Sequence, residues 1–300
     1  MSDPIHPDSR TVPADSSAGT PESWSSVILP RRGLFQVPFR ELWRYRDLVR
    51  MLAFRDFSSS YKQTVLGPLW YFMQPVIVGC FYAVLFGKLA QMGSEDLPQF
   101  VFYMGGLVPW TFFSESLLKV SGTFINNEQI LGKVYFPRLA IPVANVLTNL
   151  VPAVIQFGVF LLGWMWYWLE DGSVLRPNPW IFAVPLFLVQ LGMLAFGLGC
   201  LVAAATNRFR DLAFGGKLGL QLWLFASGVV FPLSRVPEAS RWIFKLNPVV
   251  PPLEFFRHAF TGHGALNLVD LWISASVSVA VFVVGLLAFN RAEQTAMDTV

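Results

Sequence analysis

The sequence predicts an all-α polytopic membrane protein with six transmembrane helices, and two observations support that prediction. Of the 300 residues, 54% are hydrophobic and only 14% are charged, whereas soluble domains carry about 25% charged residues. The apolar residues also cluster in runs longer than the roughly 18 residues that indicate a membrane helix. Such a run must be helical in lipid, because lipid offers the backbone no hydrogen-bonding partners.

The six predicted spans are intervals with few or no charged residues. In chain order they are Gln63–Gly87, Leu97–Leu118, Leu139–Leu169, Pro177–Asn207, Leu218–Ser234 and Leu271–Asn290. The fifth is short, and the second contains one charged residue, Glu115. Residues 65–290 therefore form the predicted transmembrane domain, and residues 291–300 form a cytoplasmic C-terminal tail.

Two regions precede the predicted transmembrane domain. Residues 1–30 are rich in Ser, Pro, Asp and Thr and lack an apolar core, so we expect a disordered tail and not a signal peptide. Residues 31–64 contain a predicted interfacial helix over Phe39–Phe57. Its apolar face consists of Leu42, Tyr45, Val49 and Leu52. This helix is at least a basic anchor that fixes topology, and a gating role would be additional.

Lysine and arginine residues are concentrated on one side of the predicted spans. Eight of them lie between Arg31 and Lys62, and the loops after the second and fourth spans add more. The positive-inside rule then puts both termini in the cytoplasm.

The segment between the fifth and sixth spans, Trp242–Leu266, then faces the periplasm. It is apolar, but Asn247-Pro248 and Pro251-Pro252 interrupt it, and it contains charged residues. We expect two short re-entrant helices packed against protein. An amphipathic loop lying on the membrane surface is the alternative.

The chain lacks common motifs of catalysis and cofactor binding. It contains no G-x-x-x-x-G-K-[ST] phosphate loop, since Gly215-Gly216-Lys217 is followed by leucine, and no H-E-x-x-H or G-x-S-x-G motif. Its net charge of +3 gives no reason to expect nucleic-acid binding. We therefore expect a transport protein and not an enzyme, with no cofactor or metal held by this chain.

Three further features each allow two interpretations. Glu115 either lines a polar path, or makes a buried structural hydrogen bond or lies close to the cytoplasmic interface. The loop Asn126–Arg138 is either a short surface helix that binds a partner protein or a plain connection. The aromatic residues, 15% of the chain, either form interfacial belts or give a sugar chain a stacking surface.

Several blocks of the sequence resemble the permeases of polysaccharide-exporting ABC transporters. These blocks are Arg55–Phe57, Tyr61–Trp70 (YKQTVLGPLW), Gln74-Pro75, Phe86–Ala90, Trp110–Ser114, Lys133–Leu139 (KVYFPRL), Asn247-Pro248 and Leu253–Arg257. Their order and spacing match from about Leu42 to Asn290, and together they resemble the ABC-2 type permeases that export O-antigen and teichoic acid. The long Ser/Pro-rich tail departs from that pattern.

This resemblance implies a homodimer of the chain that works with two copies of a separate ATPase subunit, which would bind the ATP and magnesium. The implied substrate is a polysaccharide linked to a polyprenyl diphosphate lipid, moved across the bacterial inner membrane. An ABC-2 exporter of capsular polysaccharide, lipid or drug would share the architecture. A more remote alternative is an intramembrane enzyme acting on a lipid-linked sugar.

The resemblance and the charge pattern together predict four groups of functional residues. The lipid head-group gate is Arg44, Arg46, Arg50, Arg55 and Lys62. The ATPase-coupling group is Glu128, Lys133, Tyr135, Phe136 and Arg138. The glycan path is Trp70, Tyr71, Phe102, Tyr103, Trp110, Phe112, Phe113 and Glu115. The periplasmic re-entrant group is Glu254, Arg257 and His258, which would also be the enzyme's candidate cluster.

Overall fold

The computed structural model describes residues 39–59, 67, 69–92, 94, 96–127, 136–170, 174–206, 209, 211–264 and 267–297. Within these stretches every regular element is a helix and no β-strand occurs, which confirms the all-α prediction. The tail predicted over residues 1–30 lies outside the described residues.

The helices of the described residues are numbered in chain order. They are α1 (Phe39–Arg44), α2 (Arg46–Ser59), α3 (Leu69–Tyr82), α4 (Gln99–Ser121), α5 (Thr123–Asn126), α6 (Ala140–Glu170), α7 (Val184–Thr206), α8 (Leu212–Phe225), α9 (Arg241–Leu246), α10 (Val250–Thr261) and α11 (Leu268–Met297). A π-helical segment, Ala83–Leu89, continues α3, and a 3₁₀ turn, Pro179–Ala183, leads into α7.

Four helical stretches among the described residues are long and apolar enough to cross a membrane. They are Leu69–Leu89, Ala140–Glu170, Pro179–Thr206 and Leu268–Glu293, which correspond to the predicted spans one, three, four and six. Helix α4 has 23 residues, or about 35 Å of helix, but it contains both Glu115 and Lys119. Helix α8 has 14 residues, or about 21 Å. The count of six spans therefore stays a prediction.

The predicted interfacial helix has different bounds in the structure. The segment predicted as one helix over Phe39–Phe57 is divided at Tyr45 into α1 and α2, and α2 continues to Ser59. The two parts remain connected by a hydrogen bond from the Val49 amide to the Tyr45 carbonyl oxygen at 3.0 Å.

The predicted fifth span is also placed differently. Helix α8 begins at Leu212 and ends at Phe225, although the charge-free interval continues to Ser234. Beyond Phe225 the chain turns, and Gly228 adopts a φ of +67°, a left-handed conformation that glycine reaches without a steric penalty. The carbonyl oxygens of Gly228 and Val229 accept hydrogen bonds from Arg257 of α10, so they do not take part in a continuation of α8.

Helix α4 lies at the centre of the bundle. All of its residues from Val101 to Trp110 are buried, which is typical of a helix surrounded by other helices. It packs against α3, α6, α7 and α10, and α7 in turn packs against α11. The first ten buried residues of α4 therefore set the positions of most of its neighbours.

Helices α7 and α11 cross at two glycines. A Cβ atom on Gly197 would lie 2.6 Å from the carbonyl oxygen of Val281 and 2.7 Å from the Cα of Phe282. A Cβ atom on Gly285 would collide with the carbonyl oxygen of Gly197. Small residues allow membrane helices to approach at backbone distance, so this crossing requires glycine.

We expect Gly285→Ala to destabilise the folded chain, because the added methyl group must push α11 away from the backbone of Gly197. Overpacking of this kind typically costs about 1–3 kcal/mol. The matched control is Gly158→Ala in α6, where a Cβ atom would meet nothing within 4 Å. Thermal unfolding of both variants in one detergent measures the difference, and an unchanged midpoint for Gly285→Ala would contradict the close crossing.

Candidate functional site

Helix α2 is held against α6 by an apolar cluster. Val49 and Leu52 are buried there together with Ala140 and Ala144 of α6, and Phe136 joins the same cluster. The apolar face predicted for the interfacial helix therefore contacts protein.

Away from that cluster the helix is basic and exposed. Arg46, the first residue of α2, is exposed, and so is Arg44, the last residue of α1. The Arg50 side chain is 78% exposed and lies 3.9 Å from Asp47. Exposed ion pairs contribute only about 0–1 kcal/mol, so the positive charge of Arg50 can still attract an anion.

The C-terminal end of α2 contains an ion pair and an aromatic stack. Arg55 pairs with Asp56 at 2.7 Å, and the Phe57 ring stacks on Tyr71 of α3 with the ring centroids 5.7 Å apart. The stack connects α2 directly to the first membrane span. Lys62, the remaining predicted gate residue, lies outside the described residues.

A polar cavity of about 260 Å³ lies beside that stack, between α3, α4 and α6. Three residues predicted for the glycan path line it: Tyr71, Phe112 and Glu115. Five of its polar residues were not predicted: Gln74, Thr111, Lys119, Asn149 and Gln156. We call this space the polar cavity.

Hydrogen bonding and charge organise the wall of the polar cavity. Thr111 Oγ1 donates a hydrogen bond to Gln156 Oε1 at 2.5 Å. Glu115 and Lys119 are one helical turn apart on α4 and attract each other electrostatically. Asp56, at the end of α2, also attracts Lys119, so the cavity lies within electrostatic range of the interfacial helix.

The unpredicted cavity residues do carry a signal in the sequence. Lys119 follows Glu115 by four positions and Gln156 follows Asn149 by seven, so each pair lies on one face of its helix. A polar face on an apolar span indicates a cavity or a partner. The sequence does not say which spans bring such faces together, because that depends on helix packing.

The other predicted glycan-path residues lie elsewhere. Phe102, Tyr103, Trp110 and Phe113 are buried in the bundle core, each no more than 5% exposed. Trp70 is 48% exposed on the surface of α3. A path lined by these five side chains stays a prediction.

Arg257 of α10 is a buried charge, with 4% of its side chain exposed. Its Nη1 donates to Glu254 Oε1 at 3.0 Å and to the Gly228 carbonyl oxygen at 2.8 Å. Its Nη2 donates to the Val229 carbonyl oxygen at 3.0 Å. The guanidinium carbon lies 4.1 Å from the centre of the Phe102 ring. We call this set the Arg257 cluster.

Two glycines of α4 make room for this guanidinium. A Cβ atom on Gly105 would lie 3.2 Å from Cγ of Arg257, and one on Gly106 would collide with its Nη2. A buried charge is tolerated only when it is paired and hydrogen-bonded. The Arg257 cluster therefore joins α10, α4 and the turn after α8.

The segment Trp242–Leu266 contains most of α9 and all of α10, with a break between them at Asn247-Pro248, whereas Pro251-Pro252 lies in the first turn of α10 and does not interrupt it. Their re-entrant course through the membrane stays a prediction. His258 Nδ1 lies 3.2 Å from the Gly264 carbonyl oxygen. Among the described residues, no group of three or more His, Cys, Asp or Glu side chains is placed to hold a metal ion.

The predicted ATPase-coupling loop is described only at its C-terminal end. Glu128, Lys133 and Tyr135 lie outside the described residues. Phe136 is 7% exposed and packs in the cluster beneath α2, and Arg138 pairs with Glu293 of α11 at 4.0 Å. The end of this loop is therefore fixed to both α2 and α11.

A match to a protein-family model decides what kind of protein this bundle is. Residues 47–261, from α2 to the last residue of α10, match the model described as "ABC-2 type transporter". The chain belongs to the ABC-2 type transporter family. The matched part of this ABC-2 chain includes the exposed arginine Arg50, the polar cavity and the Arg257 cluster.

Similar proteins cover most of this ABC-2 chain. It is 32% identical over 244 residues to "O-antigen export system permease protein RfbA" of Myxococcus xanthus, covering 80% of this chain and 90% of that protein. It is 27% identical over 253 residues to a protein of the same name from Klebsiella pneumoniae, covering 82% and 92%. It is 23% identical over 253 residues to "Polysialic acid transport protein KpsM" of Escherichia coli, covering 84% and 95%.

We expect Arg257→Met to destabilise this ABC-2 chain strongly, because it removes the cation that Glu254 and two backbone carbonyl groups share. Breaking a buried ion pair costs about 3–5 kcal/mol. The matched control is Arg241→Met, whose Glu238 partner also precedes it by three residues, at 3.7 Å, with side chains 45% and 90% exposed. The free energy of unfolding of Arg241→Met should fall by only about 0–1 kcal/mol, because this ion pair is exposed.

Thermal unfolding in detergent, followed by size-exclusion chromatography, compares the two arginine variants. Equal losses would mean that Arg257 is no more important than a surface arginine.

Proposed function

We propose that this chain is the permease subunit of an exporter that moves polysaccharide linked to a polyprenyl diphosphate lipid across the bacterial inner membrane. The observation that carries the proposal is the 32% identity, over 80% of this chain, to a relative named for O-antigen export. The similarity covers most of both chains, so it does not come from one shared motif. The family is one of transporters, which argues against the alternative of an intramembrane enzyme.

The surface of α2 supports a role at the lipid end of this substrate. Arg46 and Arg50 of α2 are exposed, as is Arg44 at the end of α1, and the three lie close together in the chain. Basic residues near an anionic membrane surface contribute about 1 kcal/mol each to attraction. We propose that they attract the diphosphate group, and that α2 acts as a gate between this group and the first span.

The working unit in this proposal is a homodimer with two ATPase subunits. Helix α8 supports the dimer, because it contains Gly215-x-x-x-Gly219, a spacing through which membrane helices associate closely. A Cβ atom on either glycine would meet nothing within 4 Å in a single copy. We propose that a second copy packs against this face. ATP and magnesium would be bound by the ATPase, with both termini of the permease and its coupling loop in the cytoplasm and six spans in the membrane.

The contacts of Phe136 suggest how the ATPase would move the gate. The coupling loop ends at this buried ring, which packs in one cluster with Val49 and Leu52 of α2. Interiors are close-packed, so a displaced side chain displaces its neighbours. A shift of the loop would therefore reach α2 without passing through the bundle core.

Export of capsular polysaccharide is the second candidate. It is favoured by the match to the polysialic acid transport protein, at 23% identity over 84% of this chain. The two candidates share an architecture and differ in the lipid and glycan that they carry. Neighbouring genes for an ATPase with a carbohydrate-binding domain and for O-antigen assembly would favour the first candidate over the second.

Deletion of the gene in its host tests the proposal. We expect surface polysaccharide to be lost and lipid-linked glycan to accumulate on the cytoplasmic side, with both effects reversed by the wild-type chain. Fractionation of surface and membrane glycans measures this. Unchanged surface polysaccharide without internal accumulation would overturn the proposed function.

We expect Phe136→Ala to uncouple ATP hydrolysis from export, because it removes the ring that connects the loop to α2. The amount of glycan exported per ATP hydrolysed should fall several-fold at equal protein level, and Phe136→Leu should restore part of it. The control is Phe182→Ala, since Phe182 is 90% exposed. Hydrolysis and export that fall in proportion in the Phe136→Ala complex would exclude the coupling role.

A further inference from the structure

The polar cavity presents hydrogen-bonding groups where membrane spans normally present apolar ones. Glu115 and Lys119 come from α4, Gln156 from α6 and Gln74 from α3. A charged side chain inside a span costs free energy unless it faces a cavity or a partner. Uncharged polar side chains also cost free energy when they are buried without a hydrogen-bonding partner. Three helices each contribute such groups to one space, and this convergence indicates a ligand.

Several of these groups keep hydrogen-bonding capacity. One end of the Gln156 side-chain amide bonds the Thr111 hydroxyl, which also lies 2.8 Å from the Leu107 carbonyl oxygen, while the other end has no partner among the residues that the structure describes. Within the same described stretches Glu115 and Lys119 attract each other but form no direct ion pair. The cavity therefore offers a carboxylate acceptor, an ammonium donor and one free end of an amide within one space.

This set of groups matches a sugar better than a phosphate. Each sugar hydroxyl both donates and accepts, so it can use carboxylate, amide and ammonium partners together. Tyr71 and Phe112 add aromatic rings, whose electron-rich faces suit the C–H face of a sugar ring. A phosphate drawn to Lys119 would also be repelled by the nearby Glu115 carboxylate.

The size and position of the cavity limit the ligand further. Its volume is about 260 Å³, which equals roughly nine water molecules at about 30 Å³ each and is enough for one sugar ring. The stack of Phe57 on Tyr71 puts the cavity beside the end of α2. We propose, resting on the proposed function, that the polar cavity binds the single neutral sugar ring that adjoins the lipid diphosphate.

Protection of an introduced thiol tests this proposal. The test variant is Gln156→Cys in a chain that also carries Cys80→Ser, because Cys80 is exposed whereas Cys200 is buried. The permease–ATPase complex is labelled with a water-soluble methanethiosulfonate reagent. The two probes are a polyprenyl diphosphate bearing one N-acetylhexosamine and the same polyprenyl diphosphate without a sugar.

We expect the sugar-bearing lipid to slow labelling of the Gln156→Cys thiol about tenfold at ten times its dissociation constant, as simple occupancy requires. The bare lipid diphosphate should slow it much less. The matched control is Glu170→Cys at the C-terminal end of the same helix, because Glu170 is exposed beyond the apolar part of α6 and does not line the polar cavity. Its labelling should respond equally to both lipids.

Three outcomes would overturn the sugar subsite. Equal protection by the bare diphosphate would make the cavity a phosphate site. No protection by either lipid, in a chain that still exports glycan in its host, would remove the cavity from the substrate's path and leave the proposed function intact. A thiol that labels only after denaturation would mean that the cavity is closed to water. If Gln156→Cys does not fold, the same labelling experiment can be made with Gln74→Cys, on α3 in the same cavity. The three outcomes are then interpreted in the same way.

Discussion

The buried guanidinium of Arg257 is the constraint on which the packing of this chain depends. Moving a charge out of water costs several kcal/mol even after the surroundings relax, and here the cost is offset by Glu254, two carbonyl oxygens and the face of Phe102. These partners come from α10, from the turn after α8 and from α4. The three elements must therefore meet at one point, and α4 needs glycines there so that the guanidinium fits.

Helix α4 links this cluster to the polar cavity. Phe102 and the two glycines lie in its first half, and Glu115 and Lys119 lie near its C-terminal end. Because the first half is buried on all sides, the helix cannot turn about its axis without breaking the Arg257 cluster. The orientation that places Glu115 toward α3 and α6 is thus fixed by contacts about two or three turns away. On the other side of the polar cavity, the stack of Phe57 on Tyr71 connects α3 to α2. Helix α2 is in turn held by the cluster that contains Phe136.

The sequence allowed the fold class to be predicted, because apolar run length and charge spacing depend on the chain alone. It also placed the apolar face of α2 and the break at Asn247-Pro248. It did not predict the division of the interfacial helix at Tyr45 or the end of α8 at Phe225, since the turn after α8 is held by a side chain some thirty residues later in the sequence. Phe102 and Tyr103, which the resemblance predicts for a glycan path, are buried in the core, with Phe102 against Arg257, and their place in that path stays a prediction.

The candidate site was predicted in part for a similar reason. Tyr71, Phe112 and Glu115 belong to the predicted glycan path, the two aromatic residues through the resemblance and Glu115 as a charge inside a span, and the structure places them around one cavity. Their partners Gln74 and Gln156 are ordinary amides in the sequence. They become informative only once three helices are packed together, and the resemblance to known permeases concerned blocks of sequence and not this space.

ATP-driven export by this chain can be measured in a defined vesicle. The purified chain and its ATPase are reconstituted with lipid-linked glycan on the side where ATP is supplied, and a lectin outside reports glycan that has crossed. We expect lectin binding to rise only when the permease, the ATPase and hydrolysable ATP are all present. Glycan that crosses at the same rate without ATP or without the ATPase, or that never crosses although ATP is hydrolysed, would contradict it.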